Sequence, residues 1–398
     1  NSGVEWIGEI PEEWEVSKIF WLIDFINGYA FEGSSLSLDL DVPVIRIGNI
    51  SDNRIDYESC LLYKEDKMLE EYSPYEGDIL IAMSGATTGK IGIATNRKAY
   101  INQRVGIIRS VYNFFLKYHF QLLAFEEYIR LLSAGSAQSN ISMKQIQDFI
   151  IPLPPKETQQ RIASYLDKNC SKIEETIQNQ QQVIEKLKAY KQSLITEAVT
   201  GKVKIVNGKA CGEYESYKDS GVEWIGKIPS EWEVKKLKYI ADTFLKGSGI
   251  TKEEIVINGD IPCVRYGELY TKYDYHFTEC QTRTNLGIIE TPKYFSHGDV
   301  LFTCTGELVE EIGKSIAYLG NEKCLAGGDI IVLKHSQDPM FMGFDLDSKY
   351  VQGQKSFGKT KLKVVHISSG EIARLLIVLP PKEEQKEIAD YLDKKCTA

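Results

Sequence analysis

From Lys156 to Val199 the chain runs without a glycine or a proline, and apolar residues return every three or four positions. Leu166, Ile173, Gln180, Leu187 and Leu194 fall at one heptad position, while Cys170, Ile177, Ile184, Lys191 and Ala198 fall at the other. That spacing predicts a single helix carrying a seam over five heptads, introduced by Pro154-Pro155 and stopped by Gly201. At 1.5 Å per residue it reaches roughly 65 Å, too long for one domain to cover. The seam, with Leu166, Ile173, Ile177, Ile184, Leu187 and Leu194 as its apolar members, therefore calls for a partner helix. Elsewhere the pattern changes. Short apolar runs such as Pro43-Val-Ile-Arg-Ile, Asp78-Ile-Leu-Ile-Ala, Val105-Gly-Ile-Ile and Asp329-Ile-Ile-Val-Leu alternate with Gly, Asn, Asp and Ser clusters. These predict strands in a β-rich α+β domain, with helical periodicity returning between Phe114 and Leu132.

The chain is internally duplicated. Residues 2–18, SGVEWIGEIPEEWEVSK, return as SGVEWIGKIPSEWEVKK at 220–236, and LPPKETQQRIASYLDKNC at 153–170 returns as LPPKEEQKEIADYLDKKC at 379–396. Between these anchors the copies diverge, leaving echoes such as Arg46-Ile-Gly against Arg265-Tyr-Gly and Gly77-Asp-Ile-Leu against Gly298-Asp-Val-Leu. A period above 200 residues is too long for a solenoid and reads as a tandem domain duplication of pseudo-twofold character. The expected layout is a first β-rich domain over 1–152, a long helix over 153–200 and a polar linker over 201–217. A second domain over 218–378 and the start of a second helix over 379–398 complete it. That second helix begins with Ile388, Tyr391, Leu392 and Cys396 and is short of its counterpart when the sequence reaches Ala398. The absence of an initiator Met before Asn1 reads as a trimmed chain.

Composition narrows the class. The 398 residues are 43% hydrophobic and 26% charged, with no run of some 18 apolar residues and no basic flank before an apolar signal core, so a soluble cytoplasmic protein is expected. Eight cysteines lie far apart without a CxxC pair, which reads as reduced thiols and no zinc site. Gly85-Ala-Thr-Thr-Gly89-Lys90-Ile91 has three residues between its glycines where a phosphate-binding loop needs four, and Ile follows the lysine. A base-methylating [ND]PP[YF] loop, a dinucleotide fingerprint and a HExxH helix are absent. Asp338, Asp345, Asp347 and Lys349 resemble a nuclease metal cluster, but the first copy has no acid in the equivalent stretch, and the group is read as a solvated loop. No catalytic, metal or cofactor site is expected in the chain.

Net charge is −9, yet its distribution is uneven. Residues 1–78 hold 18 acidic and 5 basic side chains, whereas 79–156 hold 3 acidic and 9 basic ones. Basic residues supply sequence-independent affinity for DNA phosphates, and Arg, Asn and Gln suit base edges. The candidate contacts in the first copy are Ser84, Thr87, Thr88, Lys90, Asn102, Gln103, Arg104, Gln138, Asn140 and Lys144, accompanied by Arg97, Lys98, Arg109 and Ser139. In the second copy they are Arg265, Thr305, Lys355, Lys359, Lys361 and Lys363. The acidic first segment could dock a basic partner, and Trp6, Trp14, Trp224 and Trp232 serve either as partner anchors or as core.

Two variable β-rich domains, each introduced by Gly-x-Ile-Pro-x-Glu-Trp (Gly8 to Trp14; Gly226 to Trp232) and closed by LPPKE leading into a helix, resemble the specificity subunit of type I restriction-modification systems. The resemblance covers essentially the whole chain. It implies a noncatalytic DNA-recognition protein whose target recognition domains each read one half of a bipartite site, with two helices paired as an antiparallel coiled coil between them. It further implies double-stranded DNA, two modification subunits that use S-adenosylmethionine and restriction subunits that use ATP and Mg²⁺ as partners. Two other readings are a recognition portion of a fused restriction-modification enzyme and a coiled-coil assembly protein without DNA readout.

Overall fold

The computed structural model describes residues 1–133, 139–360 and 364–396. The chain divides into two compact units, 1–178 and 179–398.

In the first unit a four-stranded antiparallel sheet runs Asp24–Asn27, Val105–Arg109, Ile79–Ala82, Ile91–Ile93. Strand periodicity explains its two buried faces. Ile79 and Ile81 point to a cluster with Leu116, Phe120, Phe125 and Ile129, whereas Leu80 packs with Ile45, Ala99 and Ile107. The first cluster is roofed by the helices Asn113–His119 and Leu123–Leu132, where helical periodicity was expected. The other side carries a smaller sheet, Leu61–Tyr63, Val42–Ile45 and Tyr100–Ile101.

The second unit repeats this scheme at larger size. Ala241–Lys246, Ile330–His335, Val300–Thr303, Ser315–Tyr318 and His276–Phe277 form a five-stranded sheet, and Ile261–Val264 lies parallel to Cys324–Ala326 in a second one. Val300 and Phe302 face one core with Phe341 and Phe344, and Leu301 faces the other with Ile316 and Tyr318.

The repeated anchors close each unit on itself. Glu15–Lys18 pairs antiparallel with Ile150–Leu153, Glu15 opposite Leu153, and Glu233–Lys236 pairs in the same register with Leu376–Leu379, Glu233 opposite Leu379. The LPP motif then starts a helix whose glutamine turns back on it: Gln159 Nε2 donates to Pro154 O at 2.8 Å and Gln385 Nε2 to Pro380 O at 2.9 Å. The helical ladder starts at the second proline, whose carbonyl accepts the Gln159 or Gln385 amide, and the carbonyl of the first proline, just outside the ladder, is satisfied by the glutamine side chain. The Gly-Asp-[Ile/Val]-Leu echo is a turn. Gly77 and Gly298 adopt φ of +85° and +91°, and Asp78 and Asp299 accept from the amides of Tyr75 and Ser296 at 2.8 Å.

One helix, Lys156–Val199, spans 44 residues and contributes to both units. Ile195, Ala198 and Val199 enter the core of the second unit with Ile388, Ala389 and Leu392 of the helix Lys382–Cys396. Residues 201–217 are more than the polar linker expected from their composition. They contain the hairpin Ile205–Val206 with Lys209–Ala210, and Ile205 is buried in the same core. The tryptophans divide: Trp232 is fully buried and donates from Nε1 to Glu384 Oε2, whereas Trp6 is partly exposed and stacks on Phe149.

Candidate nucleic-acid interface

The two units share more than topology. Gly28 N–H donates to Val105 O and Gly247 N–H to Ile330 O; Asn102 N–H donates to Ile45 O and Gly327 N–H to Val264 O. Met83 N–H donates to Arg104 O and Cys304 N–H to Asp329 O, while Ile141 and Ile367 donate to the carbonyls of Met83 and Cys304. These bonds place Asn27 with Lys246, Ser84 with Thr305, Arg104 with Asp329 and Asn140 with His366 at equivalent backbone positions. In each unit those four residues converge where the ends of the central strands meet a bridging segment, Ser84 opposite Asn140 and Thr305 opposite His366. Thr305 Oγ1 lies 3.1 Å from His366 Nδ1, and the His366 ring is exposed. In the second unit Lys246, Thr305, Asp329 and His366 line one cleft of about 340 Å³.

The structure thus brings together Ser84, Asn102, Gln103, Arg104 and Asn140 from the candidates of the first unit, with Gln103 and Arg104 exposed. Lys90 and Lys144 are exposed as well. Thr87 and Thr88 hold the loop instead, Thr87 Oγ1 donating to Ile47 O at 3.0 Å and Thr88 Oγ1 to Gly85 O at 2.7 Å. Much of the basic excess over 79–156 is spent internally against the acidic first segment. Arg97 pairs with Glu58, Lys98 with Glu65 and Glu70, and Arg109 with Asp78. The acidic stretch is therefore partly the counter-charge of its own unit rather than a free docking surface.

In the second unit Thr305 lines that cleft and Arg265 lines a neighbouring one with Lys246 and Asp329, but Lys355 lines neither. It is 1% exposed, and its ammonium donates to Gly313 O, Ser315 Oγ and Leu346 O at 2.6, 3.2 and 2.7 Å. Helical spacing within Lys349–Ser356 turns it into the core, so it cannot meet a phosphate. Burial pushes its pKa down to about 8 against the pull of Asp347 and Asp345. The acidic group read as a solvated loop is likewise structural. Asp338 caps the helix Pro339–Leu346 by accepting from Phe341 N at 2.8 Å. Asp345 is fully buried against the Tyr350 hydroxyl, and Asp347 accepts from Ser315 N at 3.3 Å. Among the described residues no cluster of His, Cys, Asp or Glu could hold a metal ion. Lys359 is mostly buried and paired, donating to Glu371 Oε1 and His366 O at 2.7 Å, and so braces the loop that carries His366. Gln138, Lys361 and Lys363 lie outside the described residues.

Sequence reasoning missed Asn27, Lys246, Asp329 and His366. The Arg46 and Arg265 echo is a shared piece of backbone: each follows a strand of the second sheet and donates its amide to a side chain three residues on, Asn49 Oδ1 at 2.9 Å and Glu268 Oε2 at 3.0 Å.

A family model for the type I restriction modification DNA specificity domain matches residues 11–188 and again 229–396. The chain belongs to this family. Its two specificity domains coincide with the two repeats read from the anchors, and the noncatalytic, DNA-recognising class expected from the resemblance is the class of its relatives. Among these, the EcoKI specificity subunit of Escherichia coli K12 is 22% identical over 96% of this chain and 82% of its own length. The MjaVIII specificity subunit of Methanocaldococcus jannaschii is 24% identical over 96% and 86%. A solved chain from work on complex assembly and conformational transition of the type I R-M system aligns with a TM-score of 0.64 at 16% identity, covering 98% of this chain and 91% of that one, and shares the fold. No helix among the described residues is long and apolar enough to cross a membrane.

Proposed function

We propose that this chain reads a bipartite DNA site, one half with each specificity domain, and holds adenine-modifying and restriction subunits at that site. The observation that carries the reading is the repeated hydrogen-bond frame with unlike side chains at its corner, because two different surfaces on one scaffold suit two different half-sites. The 44-residue helix suits a spacer that fixes the gap between them. Its seam is open: Ile173, Ile177, Ile184 and Leu187 are 45–62% exposed, and a second helix is the occupant whose heptads would cover them. Leu166 and Leu194, at the two ends, are half-buried.

Two modification subunits, carrying S-adenosylmethionine, and restriction subunits, carrying ATP and Mg²⁺, complete the assembly in the cytoplasm, and this chain itself takes no cofactor. The test is to express the chain with its cognate modification subunit in a host lacking other methylation and sequence the methylated genome. One motif with two unlike halves and a fixed gap supports the reading. Methylation without a fixed motif would point instead to an assembly protein, and cutting or methylation by the purified chain alone would point to a fused enzyme.

A further inference from the structure

Scaffold and lettering separate cleanly when the two units are compared. The main-chain bonds around the strand-end corner are the same, yet the side chains at all four equivalent positions differ: Asn27, Ser84, Arg104 and Asn140 in the first unit, Lys246, Thr305, Asp329 and His366 in the second. The same frame carries a residue that does not differ, Arg46 after Ile45, whose carbonyl accepts from Asn102 N–H, and Arg265 after Val264, whose carbonyl accepts from Gly327 N–H. Phosphate contacts are independent of sequence and position a protein on the duplex, whereas contacts to base edges carry the letters. A shared cation on the same frame as a variable polar set is the arrangement this division of labour requires.

We infer that this corner is the base-reading site of each unit, that its four variable positions set the two half-site words, and that Arg46 and Arg265 each take a backbone phosphate. The inference rests on the DNA-reading function proposed above and names where that reading occurs.

Three local features support it. The Ser84 hydroxyl is buried at 7% exposure with no hydrogen-bond partner among the described residues, a polar group left for an incoming ligand to satisfy. The Arg265 Nε is also buried and without a hydrogen-bond partner, the Glu268 carboxylate standing 4.0 Å off and already engaged by Lys272 at 2.6 Å. Arg265 further lines a cleft of about 910 Å³ that it shares with Lys246 and Asp329 and whose wall includes Gly247, Gly249, Gly327 and Gly328. Glycine walls let another backbone approach closely. The chemistry of the two sets also differs in kind. A guanidinium with two amides suits purine edges, guanine N7 and O6 or adenine N6 and N7, while a carboxylate accepts from the cytosine amino group and a lysine donates to guanine.

The test uses the chain together with its modification subunit. Asp329→Arg and His366→Asn, both at exposed positions, place the first unit's residues on the second unit's frame. The expected result is a methylated motif altered at one or two positions of a single half-site, with the other half and the gap unchanged. Arg265→Ala should leave the motif intact, weaken binding to a duplex carrying it several-fold, and lower the salt dependence by about one phosphate contact, with Arg265→Lys restoring most of the loss. An unchanged motif in both Asp329→Arg and His366→Asn, with methylation retained, overturns the assignment of the corner while leaving the DNA-reading function standing. Absence of any motif with the unaltered chain would instead overturn that function. If the corner variants lose methylation altogether, duplex binding in the absence of the modification subunit decides: unchanged affinity and sequence preference overturn the assignment, and altered preference supports it.

Discussion

Arg109 Nη2 lies 2.6 Å from Asp78 Oδ2 across neighbouring strands, and the equivalent pair in the second unit is Lys334 with Asp299 at 2.8 Å. In both units the carboxylate is nearly buried and also accepts a turn amide, so the pair locks the start of a central strand to its neighbour. Removing the acid leaves a cation and an amide without their acceptor at a partly buried site. Asp78→Ala should therefore destabilise the first unit by about 2 kcal/mol and Asp299→Ala the second by a similar amount, each read from the urea midpoint of the affected unit. A loss under about 0.5 kcal/mol would class both pairs with ordinary surface ion pairs.

The buried charges of the second unit set a pH dependence. Burial pushes the Asp345 carboxyl up to about 8, opposed by the Tyr350 hydroxyl and Lys355. Its folded-state pKa therefore exceeds the unfolded value near 3.8, and the native state holds an extra proton between those limits. The stabilisation is full below about pH 4 and is lost as pH rises through about 8, at no more than about 1.4 kcal/mol per pH unit. Asp345→Asn, which stays neutral, should flatten this slope and make the second unit more stable than the parent at pH 8. Parallel slopes for parent and variant between about pH 5 and 8 in urea unfolding would contradict the neutral carboxyl.

In the first unit His119 follows the opposite logic for a base. Burial pushes its pKa down to about 4, with the Phe115 carbonyl opposing. The unfolded chain then binds the extra proton, so this contribution is complete above about pH 6.5 and falls away as pH drops toward 4. His119→Gln should reduce the acid sensitivity of the first unit, measured as the change in its melting temperature between about pH 7 and 5.

The open seam and the buried end of the long helix respond differently to substitution. Ile184→Lys with Leu187→Lys changes exposed positions and should alter unfolding by less than about 0.5 kcal/mol. Ile195→Ala, at a fully buried position of the same helix, should cost about 2–4 kcal/mol. With the modification subunit present the double lysine variant should nevertheless lose methylation, because a charged seam cannot take a helix partner. Full activity in that variant would remove the seam from the assembly.

How much of the fold and the corner was legible in the sequence depends on the kind of signal. The frame was visible because its anchors repeat nearly unchanged, and those anchors are the residues that close each unit, Glu15 on Leu153 and Glu233 on Leu379. The long helix was visible because a stretch of this length free of glycine and proline, with apolar residues every three or four positions, is helical whether or not a partner covers its seam. Burial of Lys355 was not, since a lysine-rich strip looks solvated until the helix Lys349–Ser356 turns one member toward Leu346 O. Half of the corner, Ser84, Arg104, Asn140 and Thr305, stood among the candidates read from polar and basic residue types, whereas Asn27, Lys246, Asp329 and His366 did not, because they share no chemistry with their counterparts and only strand register brings them to the same place.

Helix register also decides how the spacer tolerates shortening. Deleting residues 177–183 removes seven residues from the exposed stretch of the long helix, about 10 Å of length, while rotating the remainder of the helix by only about 20°. The heptad seam stays in phase across the cut, so both units should fold as before. The methylated motif should keep both half-site words and shorten its gap by about three base pairs, since B-DNA rises roughly 3.4 Å per pair. A five-residue deletion removes a comparable length but rotates the C-terminal part of the helix by about 140°, turning the seam away from any partner. It should abolish methylation instead of resetting the gap. Equal gaps in the parent and the seven-residue deletion would show that something other than this helix sets the spacing.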